Sequence, residues 1–340
     1  MKSILVIKLR YLGDVLLATP TLQALKVAYP AARLSVVVNR GTEAMVAGNP
    51  NVDEILLLDR RSLVAQWHFL SDLRRRRFDV VIDLTDADRS AFLTWVTRAP
   101  LRIGFNAEQR WRGRCYTAVV RSESSDHRVE RDLAALKPLG ILEGDRMPRL
   151  WLTPHDEQRA EQLLRRLGIQ ENRPIAVLQP GARYWFKAWP AERFAELADR
   201  ISAEHGCQVL IGGSLQEDDL ALRIRRVAKS HPISMAGLSD MRTFAAVLKR
   251  SALFVGNDSG AMHVAAAMGT PLVALFGPST PAEWGPRGKR MEVIYKGLDC
   301  RACFHPTCER GEQNCMKLIS IDDVMSAVGR LMVRPNPVPF

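Results

Sequence analysis

The stretch ALFVGNDSGAMHVAAAMGTPLVALFGP, residues 252–278, decides the fold class. We predict a buried strand at its start, over 251–256, then a polar turn, an alanine-rich helix over 258–268 and a second strand over 271–276. Almost uninterrupted apolar strands joined by a helix are typical of parallel sheets that helices cover on both faces. The stretch therefore predicts an α/β protein.

The same alternation of strands and helices occupies both halves of the chain. Further strands are predicted at 3–8, 34–38, 55–58, 80–84, 175–179 and 208–212, and an apolar periodicity predicts a helix over 15–28. A segment rich in Gly, Pro and charge, 139–156, separates the halves, so we expect domains at 1–155 and 156–330 and a tail at 331–340. A ligand is expected in a cleft where the carboxyl ends of the two sets of strands face each other.

Composition excludes several classes of protein. The 340 residues are 47% hydrophobic and 25% charged, which is close to an ordinary globular protein and unlike a disordered or disulfide-stapled chain. No window reaches the ~18 apolar residues of a membrane span, and the apolar run at 4–7 is too short for a signal peptide. We expect a cytoplasmic protein.

The net charge of +11 indicates an acidic partner. All 15 basic residues from Arg60 to Arg131 are arginines, whose guanidinium groups bind phosphate and carboxylate with two parallel hydrogen bonds. A solvated basic face is the alternative explanation for any one of them.

Several common catalytic motifs are absent from the sequence. It contains no Gly-x-Gly-x-x-Gly after a strand, no Walker motif, no His-Glu-x-x-His and no Gly-x-Ser-x-Gly. Nucleotide-dependent dehydrogenase, P-loop, zinc-protease and serine-hydrolase activities therefore lack support.

The turn before the alanine-rich helix has the features of an anion site. Asp258 or Ser259 is a natural N-cap, and Gly260 would let the first amides of the helix approach an anion. His263 lies one helical turn after Ser259, on the same face. An ordinary capped helix with a core histidine is the alternative.

Two motifs resemble those of a known family. Residues 256–267 (GNDSGAMHVAAA), followed by Phe-Gly-Pro at 276–278, resemble the signature of family 9 glycosyltransferases, the ADP-heptose:lipopolysaccharide heptosyltransferases. Residues 7–20 (IKLRYLGDVLLATP) resemble the opening of the heptosyltransferase III-like members. The resemblance covers nearly the whole chain and implies a GT-B architecture, in which an N-terminal Rossmann-like domain binds the acceptor and a C-terminal one binds the ADP-sugar.

The resemblance also implies roles for individual residues. It makes Asp14 the general base, for which the alternative is a helix N-cap, and Lys187, in the loop 179–190, the cation for the donor phosphates. Glu217 would accept hydrogen bonds from the adenosine ribose. The donor-binding set that it implies is Gly13, Lys187, Glu217, Asp258, Ser259, Gly260 and His263.

The implied reaction transfers heptose from ADP-heptose, with inversion, to the phosphorylated lipopolysaccharide inner core at the inner face of the inner membrane. The predicted acceptor contacts are Arg10, Arg60, Arg61, Arg110 and Arg112. No Asp-x-Asp pair for Mg²⁺ is obvious, so we expect catalysis without a metal or other cofactor. Trp67, Phe69 and Leu70 could reach the lipid interface, but burial in the core is favoured.

The cysteines suggest a structural role. Cys115 and Cys207 are isolated, whereas Cys300, Cys303, Cys308 and Cys315 form a cluster. In a reducing compartment such a cluster favours a thiolate site for zinc or iron over disulfides, with reduced thiols in a surface loop as the alternative.

Two other functions are compatible with parts of the sequence. One is another GT-B enzyme acting on sugar nucleotides, with a different donor or as an epimerase, which would require further catalytic carboxylates or histidines. The other is a basic nucleic-acid-binding protein. It requires exposed aromatic side chains between the arginines, for which only Phe105, Trp111 and Tyr116 qualify, so we expect no nucleic-acid partner.

Overall fold

The chain folds into two compact units, Met1–Trp151 and Leu152–Phe340. The computed structural model describes residues 1–59, 63–121, 126–298 and 307–332. No helix in these ranges is both long and apolar enough to span a bilayer.

The first unit contains a six-stranded sheet of order β3-β2-β1-β4-β5-β6, in which every neighbouring pair is parallel. Its elements are β1 (Ser3–Lys8), α1 (Leu12–Leu17), α2 (Thr19–Ala28), β2 (Arg33–Asn39), β3 (Glu54–Leu58), α3 (Leu63–Arg75), β4 (Val80–Asp83), α4 (Asp88–Val96), β5 (Leu101–Phe105), β6 (Ala118–Val120) and α5 (Arg128–Ala134). Short 3-10 helices occupy Glu43–Met45, Trp111–Cys115 and Lys137–Leu139.

The second unit contains a second parallel six-stranded sheet, of order β12-β11-β10-β7-β8-β9. Its elements are α6 (Pro154–Arg166), β7 (Ile175–Gln179), α7 (Ala191–His205), β8 (Gln208–Ile211), α8 (Asp218–Val227), β9 (Ile233–Ser234), α9 (Met241–Lys249), β10 (Leu253–Asn257), α10 (Gly260–Met268), β11 (Leu272–Phe276), α11 (Pro281–Trp284), β12 (Met291–Tyr295) and α12 (Ile321–Met332). Its 3-10 helices are Trp185–Lys187, Leu215–Glu217 and Gly311–Gln313.

The predicted α/β class and all eight predicted strands are confirmed, with strand ends displaced by two residues at most. The central strands are buried on both faces, which explains their continuous apolar runs. Four strands escaped prediction: β6 and β9 are very short, β5 contains an arginine, and the edge strand β12 alternates between exposed and half-buried residues.

The single helix predicted over 15–28 is wrong, because the structure has two helices that meet at Ala18. Pro20 has no N–H to donate to the carbonyl four residues earlier, so α1 cannot continue through it. The Leu16 carbonyl instead accepts a hydrogen bond from the Thr19 hydroxyl at 2.8 Å.

The strand order places a topological switch point in each sheet. In the first unit the chain reverses direction across the sheet between β1 and β4, and in the second between β7 and β10. In open parallel sheets, ligands bind beyond the carboxyl ends of the strands at such points. The loops that follow β1, β4, β7 and β10 are therefore the places to look for functional side chains.

A buried ion pair fixes the end of β1 in the first unit. The Lys8 ammonium lies 2.5 Å from Asp132 Oδ2 on α5 and donates to the Leu84 carbonyl at 3.2 Å. Both side chains are almost fully buried, and Asp132 Oδ1 has no hydrogen-bond partner among the described residues. Removing one charge would leave the other buried and uncompensated.

We predict that Lys8→Met and Asp132→Leu each lower the free energy of unfolding by about 3–5 kcal/mol, and that the double variant recovers most of the loss. Urea denaturation of the full chain measures this. The control is Lys26→Met, which removes the more exposed Lys26–Asp53 pair and costs about 1 kcal/mol or less. A single Lys8→Met variant no less stable than this control would contradict the prediction.

Candidate functional site

A charged cluster lies at the carboxyl end of β10 in the second unit. Asp258 follows the strand directly, and its Oδ2 lies 2.5 Å from the Lys187 ammonium. The Ser279 hydroxyl, from the loop after β11, donates to the same oxygen at 2.5 Å. Asp258 is buried, whereas Lys187 keeps about a fifth of its side chain exposed. The cluster thus places one cation at the mouth of the switch point.

The helix start beside this cluster is open to a ligand. Ser259 occupies the N-cap position of α10, but its hydroxyl makes no capping bond, and its Oγ is buried without a hydrogen-bond partner among the described residues. Gly260 is the first residue of the helix, so no side chain covers its amide. First-turn amides and the positive end of the helix dipole attract anions. His263 is buried one turn further along α10.

The neighbouring loop is tied to β10 by Asn257. Its Oδ1 accepts a hydrogen bond from the Trp189 amide at 3.2 Å, and its Nδ2 donates to the Pro180 carbonyl at 2.7 Å. Lys187 lies between these two anchor points, at the end of the 3-10 helix Trp185–Lys187. The fixed ends of the loop explain why the lysine meets Asp258.

Glu217 follows β8, at the end of the 3-10 helix Leu215–Glu217. Its Oε2 accepts hydrogen bonds from the amide and hydroxyl of Ser214, at 2.7 and 2.9 Å. Gly181, in the loop after β7, lies so close that a Cβ there would be 1.7 Å from Glu217 Oε1. The structure therefore brings the loops after β7 and β8 together at this carboxylate.

Asp14 lies in the first turn of α1, beyond the end of β1. The alternative role as an N-cap is wrong, because Tyr11 holds that position. Asp14 is half-buried and its carboxylate accepts no hydrogen bond from the described residues. Gly13 beside it is buried. A carboxylate with open acceptor sites at a switch point is suited to take a proton.

The predicted acceptor arginines have different environments. Arg10 is exposed, and its guanidinium donates to the Thr85 carbonyl beyond β4 at 2.9 and 3.1 Å. Arg110 is exposed and pairs with Asp88 and Glu108 at 3.2 and 3.3 Å. Arg60 and Arg61 lie outside the described residues.

Arg112 is not placed as the sequence suggested. Its side chain is only 3% exposed and is surrounded by Asp86, Asp88 and Glu108 at 2.9 to 3.3 Å. Asp86 also bonds Arg131, at 2.8 Å. Arg112 therefore stabilises the loop after β4 and does not face an acceptor. Its contacts with Asp86 and Asp88 could not be predicted from their spacing in the sequence.

The same loop corrects the statement that an Asp-x-Asp pair is lacking. Asp86-Ala87-Asp88 has that pattern, but both carboxylates already bond Arg112. Within the described ranges, no three or more His, Cys, Asp or Glu side chains are grouped to hold a metal ion. Cys308 and Cys315 are half-buried, and Cys300 and Cys303 lie outside the described residues, so the thiolate site stays a prediction.

The sequence predicted Lys187 and Asp258 separately, but it missed their direct contact and the parts that Ser279 and Asn257 play. Ser279 follows Phe-Gly-Pro immediately, and Asn257 precedes Asp258, so both lay next to quoted motifs. Both could have been considered as site residues because they are polar and lie near the end of a predicted strand. The sequence did not show that β7, β10 and β11 are neighbours in the sheet, which is what brings these residues together.

Comparisons with known proteins identify the family. A family model described as "Glycosyltransferase family 9 (heptosyltransferase)" matches residues 66–313. The chain is 29% identical over 339 residues to an Escherichia coli protein named lipopolysaccharide heptosyltransferase 3, covering 95% of this chain and 97% of that one. A lipooligosaccharide heptosyltransferase 2 of Haemophilus ducreyi is 29% identical over 311 residues, covering 86% of this chain and 88% of that one.

Solved structures share the fold. A family 9 glycosyl transferase from Veillonella parvula matches with a TM-score of 0.85 and 25% identity, covering 98% of this chain and 97% of that one. E. coli ADP-heptose lipopolysaccharide heptosyltransferase II matches with a TM-score of 0.80 and 24% identity, covering 98% and 99%. These matches confirm the expected GT-B architecture of two Rossmann-like units.

Proposed function

The chain belongs to glycosyltransferase family 9, the heptosyltransferases, and we propose that it transfers a heptose from ADP-heptose to the inner core of lipopolysaccharide. The observation that carries this proposal is the open helix start at Ser259 and Gly260 beside the Lys187–Asp258 pair. The first amides of α10 and the Lys187 ammonium are the kinds of group that bind a diphosphate. The curated relative named lipopolysaccharide heptosyltransferase 3 supports the same substrate class.

The donor is proposed to bind to the second unit. The diphosphate would accept hydrogen bonds from the first amides of α10 and meet Lys187. Asp258 and His263 would contact the sugar, and Glu217 the ribose. Because Asp258 is itself an anion, a diphosphate can bind beside it only when the Lys187 ammonium offsets its charge, while the Ser279 hydroxyl donates a hydrogen bond to the same carboxylate. Both groups already contact Asp258 Oδ2.

The reaction requires a proton acceptor and a stabilised leaving group. We assign the first task to Asp14: as the acceptor oxygen attacks the anomeric carbon, its proton passes to the Asp14 carboxylate. The bond from that carbon to the phosphate oxygen breaks, and the electron pair leaves with ADP. Lys187 and the α10 amides stabilise the charge on the departing diphosphate. One displacement converts a β-linked donor into an α-linked product.

The acceptor is proposed to be the phosphorylated inner core, handled at the inner face of the inner membrane. Arg10 and Arg110 are exposed in the first unit and keep their proposed acceptor contacts, together with Arg60 and Arg61. Catalysis is proposed to be independent of metal, which the pairing of Asp86 and Asp88 with Arg112 supports. The four-cysteine cluster would hold zinc or iron in a structural role only.

The direct test incubates the purified protein with ADP-heptose, EDTA and core oligosaccharides truncated at successive sugars, and follows ADP release and product mass. We expect one acceptor to gain one heptose. ADP-glucose and UDP-glucose in parallel reactions test for a different donor. Absence of transfer to every acceptor from ADP-heptose would contradict the proposal.

We predict that Asp14→Asn and Lys187→Ala both lower kcat but differ in their effect on ADP binding. Asp14→Asn should lower kcat by about 10²-fold or more while leaving ADP affinity within about twofold, because the base touches only the acceptor. Lys187→Ala should weaken ADP binding and lower kcat together, because the ammonium serves both ground and transition states. Steady-state kinetics and ADP titration calorimetry separate them. Full activity of Asp14→Asn would remove its catalytic role.

We also predict that Gly181→Ala weakens ADP binding about tenfold or more, the effect of losing one charge-assisted hydrogen bond. The new Cβ must displace the Glu217 carboxylate, which can swing outward, so the melting temperature should change little. Gly329→Ala, where a Cβ meets nothing within 4 Å, is the control. Unchanged ADP affinity in Gly181→Ala would exclude Glu217 as a ribose ligand in this position.

A further inference from the structure

Large aromatic side chains are exposed on three adjacent elements of the first unit. Trp67 on α3 is 74% exposed, and Trp95 on α4 and Trp111 on the following 3-10 helix are each 53% exposed. The preference for a buried Trp67 is therefore wrong. Phe92 is exposed as well and stacks on Trp95, with ring centroids 6.0 Å apart. Clustered exposed aromatics of this kind mark interaction surfaces in soluble proteins.

Polar contacts join α4 to the two elements beside it. Arg89, in the first turn of α4, donates to Gln66 Oε1 at 2.9 Å, next to Trp67. Asp88, also in that turn, pairs with Arg110 at 3.2 Å, next to Trp111. The helix α4 therefore lies between the two flanking tryptophans. We call Trp67, Phe92, Trp95 and Trp111 the aromatic surface.

Uncompensated positive charge borders the aromatic surface. Arg74 lies in the last turn of α3, Arg98 follows α4 and Arg114 lies on the 3-10 helix of Trp111. All three are exposed and none forms an ion pair with a described residue. The nearby acids are already paired, Asp72 with Arg76 and both Asp88 and Glu108 with Arg110. The border is thus complementary to a surface of fixed negative charge.

We propose that the aromatic surface docks the protein on an anionic lipid bilayer. Tryptophan is favoured at the boundary between headgroups and acyl chains, because its ring is apolar and its N–H is polar. Arginines beside it bind lipid phosphates and add about 1 kcal/mol each at low ionic strength. This inference rests on the proposed function, in which the acceptor is anchored in a membrane.

The position of α4 relates the aromatic surface to Asp14. β1 and β4 are parallel neighbours, and Asp14 and the first turn of α4 both follow the carboxyl ends of those strands. Trp95 and Arg98, at the other end of α4, precede the amino end of β5. Docking through the aromatic surface would therefore lay the side of the first unit on the bilayer, with the edge that carries Asp14 at one end of the docked face.

The test measures cosedimentation of the full-length protein with vesicles of phosphatidylethanolamine and phosphatidylglycerol, with phosphatidylcholine vesicles for comparison. We expect binding to the anionic vesicles and little to the neutral ones. The triple variant Trp67→Ser, Trp95→Ser, Trp111→Ser should bind at least about tenfold more weakly, from lost apolar burial. The control variant Val27→Ser, Leu142→Ser, Val227→Ser removes three exposed apolar residues elsewhere and should bind as the parent does.

A second pair of variants tests the charges. Arg74→Gln, Arg98→Gln, Arg114→Gln should weaken binding about fivefold for each charge at low salt. Arg166→Gln, Arg226→Gln, Lys229→Gln changes the net charge equally at exposed positions of the second unit and should have a much smaller effect. Equal effects of the two variants would show nonspecific attraction and overturn the proposed surface.

The remaining outcomes separate this inference from the proposed function. Heptose transfer to a lipid-free core oligosaccharide should be unchanged in the aromatic triple variant, so it tests the reaction alone. If that transfer occurs but the parent protein does not cosediment with anionic vesicles, the proposed docking surface is wrong and the proposed transferase activity is retained. The parent protein could instead form a dimer in sedimentation velocity that is lost only in the aromatic triple variant, and not bind vesicles. In that case the surface is an interface between two copies of the chain and the proposal fails.

Discussion

The interaction between Lys187 and Asp258 is the constraint on which the candidate site depends. A buried carboxylate beside an anion-attracting helix start would repel a diphosphate unless its charge is offset. Here a single oxygen, Oδ2 of Asp258, contacts both the Lys187 ammonium and the Ser279 hydroxyl. The three residues come from the loops after β7, β10 and β11, which only the parallel order of those strands makes neighbours. The site is therefore a direct product of the sheet topology.

Ion pairs occupy many arginines of the first unit, as between Arg76 and Glu54 and between Arg112 and Asp86. The number of arginines in this unit therefore overstates the number of unpaired cations that a ligand meets. The hypothesis of a nucleic-acid-binding protein also loses two of its three aromatic residues, Trp111 alone being exposed. Phe105 and Tyr116 are buried, and Arg131 lies over the Phe105 ring at 4.0 Å. Tyr116 donates instead to the buried Asp83, where burial raises the pKa of both groups.

Local patterns in the sequence sufficed for the fold class, for eight of the twelve described strands and for the family. The stretch at 252–278 reads correctly because strand, turn and helix are each determined by neighbouring residues. Contacts between distant segments could not be read this way. Lys8 contacts Asp132, which is 124 positions away in the sequence, and Arg112 contacts Asp86 and Asp88, 26 and 24 positions before it. The break between α1 and α2 at Ala18 could have been predicted from Pro20. The apolar periodicity over 15–28 instead indicated one continuous helix.

The central claim is that the donor diphosphate binds at the start of α10. The most direct test is a crystal structure of the protein with ADP. We expect the diphosphate oxygens within hydrogen-bond distance of the Gly260 amide and the Lys187 ammonium, with the ribose next to Glu217. Diphosphate density at the strand ends of the first unit, or at the second sheet but away from Ser259 and Lys187, would contradict the account.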